Sequence, residues 1–176
     1  MSELRTNRIV PRDGLTSGTG KGGGVIQVVH SSTGTLMEST TIDTDYDTNL
    51  NATITPTRAD SKILIMVAQM CSIRSTVAGT YAMQLSLVRT PAGGASVIII
   101  DGDNGASSMG NFTGRGGTPS TYNAMTAMQP LHILDEPATT VAVTYKTTAL
   151  LTTANSTMKL QEDGVKSFMT LMEGSG

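Results

Sequence analysis

The stretch Asn49-Leu50-Asn51-Ala52-Thr53-Ile54-Thr55-Pro56-Thr57-Arg58-Ala59-Asp60-Ser61-Lys62-Ile63-Leu64-Ile65-Met66-Val67-Ala68-Gln69-Met70-Cys71-Ser72-Ile73-Arg74 reads as a short strand, a polar turn and then the longest apolar run of the chain. Across residues 63–68 both faces of an extended chain are apolar. That suits a strand buried on both sides, or one lying at a sheet-to-sheet core. From Gln69 onward polar residues enter, so the far end is expected to approach solvent. Ile63, Ile65, Val67 and Ile73 are β-branched, which favours strand over helix. Pro56 fixes the turn, because it has no N–H for a ladder and drives Thr55 to extended geometry. The other segments must pack around this strand.

Working outward, Tyr81, Met83, Leu85 and Leu87 alternate with Ala82, Gln84, Ser86 and Val88, the pattern of a half-buried strand. Pro91-Ala92-Gly93-Gly94 is a hairpin-type turn leading into Val97-Ile98-Ile99-Ile100. Residues 101–120 are Gly-rich and nearly free of aliphatics, and read as a long surface loop. Residues 122–134 return to strand, and Pro130 within them points to an edge or a bulge. Val141, Val143 and Tyr145 open another alternating strand that runs to Leu151. Short strands over 157–160 and 166–172 flank the turn Glu162-Asp163-Gly164. On the N-terminal side, Val25-Ile26-Gln27-Val28-Val29-His30 opens the domain as a strand. Roughly eight or nine strands with frequent turns and no helix spell an all-β antiparallel sandwich of jelly-roll type.

Residues 1–24 differ from the rest. Leu4, Ile9 and Val10 form a weak apolar patch among Arg5, Arg8 and Arg12, and residues 14–24 are a flexible Gly/Ser/Thr tract. Such an arm cannot fold alone and is ordered only by docking. The division is therefore an extended arm, 1–24, and a β-sandwich domain, 25–176.

The composition bounds function. The 176 residues suffice for one domain with a core. A net charge of −2 and 3% aromatics give no electrostatic or stacking case for nucleic acid. No apolar run reaches the ~20 residues that span a bilayer. No secretory signal is visible at the N-terminus, so synthesis in a cytoplasm is expected. The single Cys71 excludes an internal disulfide and reads as a buried, inert thiol.

The sequence resembles a family of small virion proteins of tailed bacteriophages, notably marine and cyanobacterial phages, described as tail-fibre-like or structural. The residues that carry the resemblance are Leu4-Arg5-Thr6-Asn7-Arg8-Ile9-Val10-Pro11-Arg12-Asp13-Gly14, the entry Gly22-Gly23-Gly24-Val25-Ile26-Gln27-Val28-Val29, Leu50-Asn51-Ala52-Thr53-Ile54-Thr55-Pro56 followed by Ser61-Lys62-Ile63-Leu64-Ile65, and the closing Phe168-Met169-Thr170-Leu171-Met172-Glu173. The order of turn, long apolar strand, alternating strand and hairpin is also similar to the C1q/TNF-like jelly roll. That second resemblance implies a homotrimer.

No chemical motif survives inspection. Gly18-Thr19-Gly20-Lys21-Gly22 lacks the first glycine (Leu15) and the hydroxyl residue (Gly22) of a phosphate loop. Asp43-Thr44-Asp45-Tyr46-Asp47 and Asp101-Gly102-Asp103-Asn104-Gly105 have the alternating oxygens of a calcium loop but not its bidentate Glu. His30 and His132 fall on strands with no ligand-spaced partner. No Gly-x-Ser-x-Gly elbow is present. The Asn-x-Thr triplets at Asn51, Asn111 and Asn155 are chance matches in a Thr-rich chain. Met66, Met70, Met83, Met125 and Met128 fill core and subunit seams.

These readings lead to a non-enzymatic virion structural protein without cofactor or metal. It is expected to be a homotrimer on the particle surface, either a fibre-like projection or a capsid decoration. Its arm would dock onto capsid, portal or tail protein through Leu4, Arg5, Arg8, Ile9, Val10 and Arg12. The competing reading is a receptor-binding module for host surface glycan, which would stack sugars on Tyr46, Tyr81, Tyr122, Tyr145, Phe112 or Phe168.

Overall fold

A computed structural model describes residues 24–100, 111–116 and 123–175, and within them the chain is almost wholly β. In chain order the strands are β1 (Val25–Thr33), β2 (Met37–Ser39), β3 (Asp45–Ile54), β4 (Lys62–Ser75), β5 (Gly79–Pro91) and β6 (Val97–Ile100). They continue as β7 (Asn111–Gly116), β8 (Asn123–Asp135), β9 (Val143–Leu151), β10 (Ser156–Leu160) and β11 (Ser167–Gly174), with a single 3-10 turn over Glu162–Gly164. The arm residues Leu4, Arg5, Arg8, Ile9, Val10 and Arg12 lie outside the described residues.

The strands form a six-stranded and a five-stranded sheet. In the larger, β8 pairs with β4 along its whole length, Ile63 to Ser75. The opposite edge of β4 is shared: β11 takes its first half and β10 its second, with β1 outside β11 and β2 outside β10. In the smaller sheet, β9 lies between β3 and β5, and the far edge of β5 is shared by β7 and β6. The pairing is nested: β1 with β11, β3 with β9, β4 with β8, β5 with β6 and β7. The contacts of β4 with β11 and of β5 with β9 then roll this long hairpin into two antiparallel sheets. That is the jelly-roll arrangement.

Alternation explains the core. Ile63, Ile65, Val67, Cys71 and Ile73 of β4, Met158 and Leu160 of β10 and Met169 and Leu171 of β11 point inward from the larger sheet. Leu50, Ala52 and Ile54 meet them from β3, Tyr81, Met83, Leu85 and Leu87 from β5, and Val143, Tyr145 and Leu151 from β9. β3, β4, β5, β9, β10 and β11 supply their inner faces at period two.

Three expectations are corrected here. First, the far end of β4 does not approach solvent: Gln69, Met70, Cys71, Ser72 and Ile73 are all buried. Their polar groups are satisfied across the sandwich. Gln69 Nε2 donates to Ser167 Oγ at 2.9 Å, Thr147 Oγ1 donates to Gln69 Oε1 at 3.0 Å, and Thr48 and Thr147 hydroxyls meet at 2.5 Å. Gln161 completes the seam, its amide turned so that the oxygen accepts from Ser167 and the nitrogen donates to the carbonyls of Thr35 and Thr48. A polar group can be buried once it is paired, and these are.

Second, the stretch 101–120 is not all loop. Its described residues are β7, whose Phe112 is 3% exposed and whose Thr113 and Arg115 face out. At Gly114 a Cβ would fall inside the Tyr81 ring, so only glycine lets that ring close over the strand. A glycine in an inward position hides the apolar alternation from a sequence reading.

Third, of the two settings open for β4 the structure takes the sheet-to-sheet core, so β4 is not buried on both faces within the chain. Ile63, Ile65 and Val67 are in the core, whereas Leu64, Met66 and Ala68 face outward and are only half-buried. The number of strands is eleven among the described residues, with β2 and β7 missed by the sequence reading. Pro130 does sit in an edge strand, since nothing pairs with the outer side of β8 among the described residues.

Candidate functional site

The outer face of the larger sheet carries the most distinctive surface of the molecule. Strand register sets Val28, Met172, Leu64 and Leu134 side by side across β1, β11, β4 and β8. The next row reads His30, Thr170, Met66, His132, and the one after it Ser32, Phe168, Ala68, Pro130. Beyond these, Met70 beside Met128 and Ser72 beside Thr126 are buried, and only the β8 partners are exposed. From Leu64 to Met70 no carboxylate or ammonium interrupts these rows; charge enters at Ser72, whose row continues through Lys159 of β10 and Glu38 of β2. Val28 and Leu134 are each 55% exposed, and Met128 and Phe168 are 42% and 39%. His30 stacks on Phe168 with ring centroids 5.9 Å apart, and its Nδ1 lies 3.0 Å from Thr170 Oγ1.

The smaller sheet shows the opposite character. Its outer face sets Thr53, Thr144 and Thr90 in one row, Asn51, Lys146 and Val88 in another, and Asp47, Thr148 and Ser86 in a third. Thr53 and Thr144 share a 2.8 Å hydrogen bond, and Lys146 pairs with Asp47 at 3.0 Å. A hydroxyl and charge lattice of this kind is content in water. The sandwich is therefore two-sided, one outer face wet and the other largely apolar over β1, β11, β4 and β8.

At one end of the apolar face a groove of about 220 Å³ opens between Val25, Lys62, Leu64, Leu134 and Met172. Val25 begins β1, so the groove lies at the root of residues 1–24. Beneath it, the carboxylate of Glu173 is fully buried. Its Oε1 accepts hydrogen bonds from Thr57 N at 2.7 Å, Thr57 Oγ1 at 2.7 Å and Ser61 Oγ at 2.6 Å, and its Oε2 accepts from Gln27 Nε2 at 2.5 Å. Burial alone would raise this group, but the hydrogen bonds from Ser61, Thr57 and Gln27 outweigh it and hold the carboxyl below its usual range. The clasp ties β11, β1 and the turn after β3 together near the start of β1.

At the other end, Glu162 sits between Arg74 and Lys159, with Lys159 Nζ at 3.5 Å from it and 3.4 Å from Glu38. Burial would raise Glu162, but Ser72, Arg74 and Lys159 lower it further than burial lifts it. This cluster is an internal ion network whose charges are matched. Asp135 makes a second one, accepting from Arg89 Nη1 at 2.8 Å and from the Tyr145 hydroxyl at 2.7 Å. Burial first, and that hydrogen bond second, push the Tyr145 phenol up.

The remaining sequence candidates fall as follows. Asp47 is occupied by Asn49 N and Lys146, and no group of three or more His, Cys, Asp or Glu suited to a metal occurs among the described residues. The carboxylates Asp101 and Asp103 lie outside them, as do Gly18 to Gly22 and Tyr122. Cys71 is fully buried, and burial pushes its thiol well up, away from the reactive thiolate. Of the aromatics named for sugar stacking, Tyr81, Phe112 and Tyr145 are core residues and Tyr46 is half-buried. Among the described residues, Phe168 is the exposed one of these six. Met83 is core and Met70 is buried, whereas Met66, Met125 and Met128 belong to the outer face and the β8 edge. No helix among the described residues is long and apolar enough to cross a membrane.

No protein-family model matches the chain, and no curated protein is similar to it. Among solved structures, the chain is similar to that of infectious bursal virus derived T=1 particles, with a TM-score of 0.45 and 10% identity over 98% of this chain and 41% of that one. It is also similar to a structure of the Gx strain of infectious bursal disease virus, with a TM-score of 0.37 and 9% identity over 98% of this chain and 43% of that one. The chain thus spans about two-fifths of the length of those proteins. At these TM-scores the likeness carries no argument about function.

Proposed function

We propose that this protein is a structural component of a virion, a jelly-roll subunit of a tailed-bacteriophage particle that acts by assembly. The observation that carries the reading is the contrast between the two outer faces. A single chain that leaves an uncharged, largely apolar area over four strands of one sheet, and a largely polar outer face on the other, is built to be covered on one side. In this reading three copies associate, and residues 1–24 fasten the assembly to capsid, portal or tail protein. Leu4, Ile9 and Val10 supply the apolar anchors, and Arg5, Arg8 and Arg12 the charged ones. The sugar-stacking alternative is weakened, since three of its six aromatics are in the core.

The test is copy number in purified particles, by quantitative mass spectrometry against the major capsid protein. Hundreds of copies make the protein a shell decoration, and a few to a few tens make it a projection. Absence from particles refutes the virion reading. Deleting residues 2–21 is expected to abolish incorporation, and unchanged incorporation would refute the role of the arm.

A further inference from the structure

We infer that the outer face of the larger sheet, with the open edge of β8, is where a second copy of this chain docks. The inference deepens the proposed assembly role by naming the surface that joins the subunits.

Size supports it first. Four strands at a spacing of about 4.8 Å, over the rows from Leu64 to Ala68 at about 3.3 Å per residue, give a footprint of roughly 320 Å² in projection. Side-chain relief raises the accessible area above that. An isolated soluble chain seldom leaves a patch beyond about 300–600 Å² open, and a standard interface takes about 800 Å² from each partner. The edge extends the patch. Ala124, Met125, Thr126, Ala127 and Met128 are exposed on both faces of β8, although β4 pairs with every one of them on the inner side. Long open edges carrying apolar side chains are templates for further pairing unless something covers them.

Charge decides the occupant. A face bearing net charge repels its own copy and selects an oppositely charged partner. Across the four-strand rows from Leu64 to Ala68 this one carries no carboxylate or ammonium, and at its far border Lys159 is already paired with Glu38 and Glu162, so two copies meet there without like-charge contact. Interfaces between identical subunits are also the ones most depleted in charge at their centre. The methionines fit the same role, since Met66, Met128 and Met172 are unbranched and adapt to a facing surface.

The experiment uses the full chain in sedimentation velocity at tens of micromolar. The wild type is expected as a closed oligomer, a small multiple of the 18.3 kDa chain. The double variant Val28→Glu/Leu134→Glu places a carboxylate at two exposed positions of the face and is expected to weaken association by about a hundredfold or more. Its far-UV circular dichroism should stay that of the wild type. The control Val97→Glu/Ile98→Glu alters two equally exposed apolar residues of β6, away from this face, and should leave the oligomer intact. A monomeric wild type overturns the inference and gives the face to the arm or to another virion protein. An oligomer that resists the first variant, or yields to the control, overturns it as well. A protein that oligomerises in this way but is absent from particles refutes the virion reading alone, and one found in particles as a monomer in solution refutes this inference alone.

Discussion

Glu173→Gln is the sharpest probe of how the sandwich is closed around the start of β1. In the wild type one carboxylate oxygen accepts three hydrogen bonds and the other accepts one, with no exposed surface left on the residue. Glutamine keeps the shape but offers a single acceptor oxygen. If that oxygen takes the place facing Thr57 and Ser61, the amide nitrogen faces Gln27 Nε2, donor against donor. The three retained bonds lose their charge assistance, and Gln27 loses a partner in a closed site. Together these changes cost about 3–5 kcal/mol. That is a large part of the roughly 5–15 kcal/mol that holds a domain folded. Urea unfolding followed by far-UV circular dichroism measures it. The sign of the pH dependence is fixed by the direction of the shift. A carboxyl held below its unfolded value stabilises fully above that value, and the benefit is lost as pH falls through the lower, folded one. The gap between wild type and variant should therefore be full at about pH 6 and narrow markedly at about pH 3. A gap below about 1 kcal/mol at the higher pH, or one equal at both, would refute the clasp.

Two further substitutions test the interior. Gly114→Ala drives a methyl into the Tyr81 ring and is expected to cost about 1–3 kcal/mol or more, read as a lowered thermal midpoint, whereas Thr113→Ala beside it should be near neutral. Gln69→Leu removes the centre of the buried polar seam, leaving Thr147 and Ser167 each without one partner, and should cost about 2–4 kcal/mol in urea unfolding. A variant as stable as wild type would mean that the seam contributes nothing net.

Much of the fold was legible because it rests on local alternation. β4, β5 and β9 announce their inner faces at period two, Pro130 marks an edge, and Pro91 to Gly94 marks a hairpin, whose Gly93 adopts φ 71°. What escaped was settled over long range. The second half of β4 reads as solvent-bound because Gln69 and Ser72 are polar, yet Gln69's partners Thr147 and Ser167 lie 78 and 98 residues away. β7 escaped because its inward positions are one phenylalanine and one glycine. The bulge in β3 escaped because nothing but register reveals it: Asn49 turns left-handed at φ 63° and skips the ladder between Asp47 and Asn51. The apolar face escaped as a surface, since its residues come from four strands, but its signature was visible in the doubly apolar run of residues 63–68.

That run makes a prediction by parity. One side of β4 belongs to the core and the other to the proposed interface, so neighbouring residues of similar character should fail in different ways. Ile65 is fully buried between the sheets, and Ile65→Ala is expected to cost about 2–5 kcal/mol of folding stability at any protein concentration. Leu64 and Met66 face outward and are half-buried. Leu64→Ser and Met66→Ser should leave the dilute monomer within about 1 kcal/mol of wild type, because surface substitutions away from special features change little. The same two changes should lower the concentration-dependent part of the stability, the part that rises with chain concentration when folding and association are linked. Thermal melts at several concentrations separate the two effects. If the even-numbered changes destabilise the monomer as much as the odd-numbered one, the outer face is already covered within the chain. If they change neither quantity, its apolar character has no energetic role.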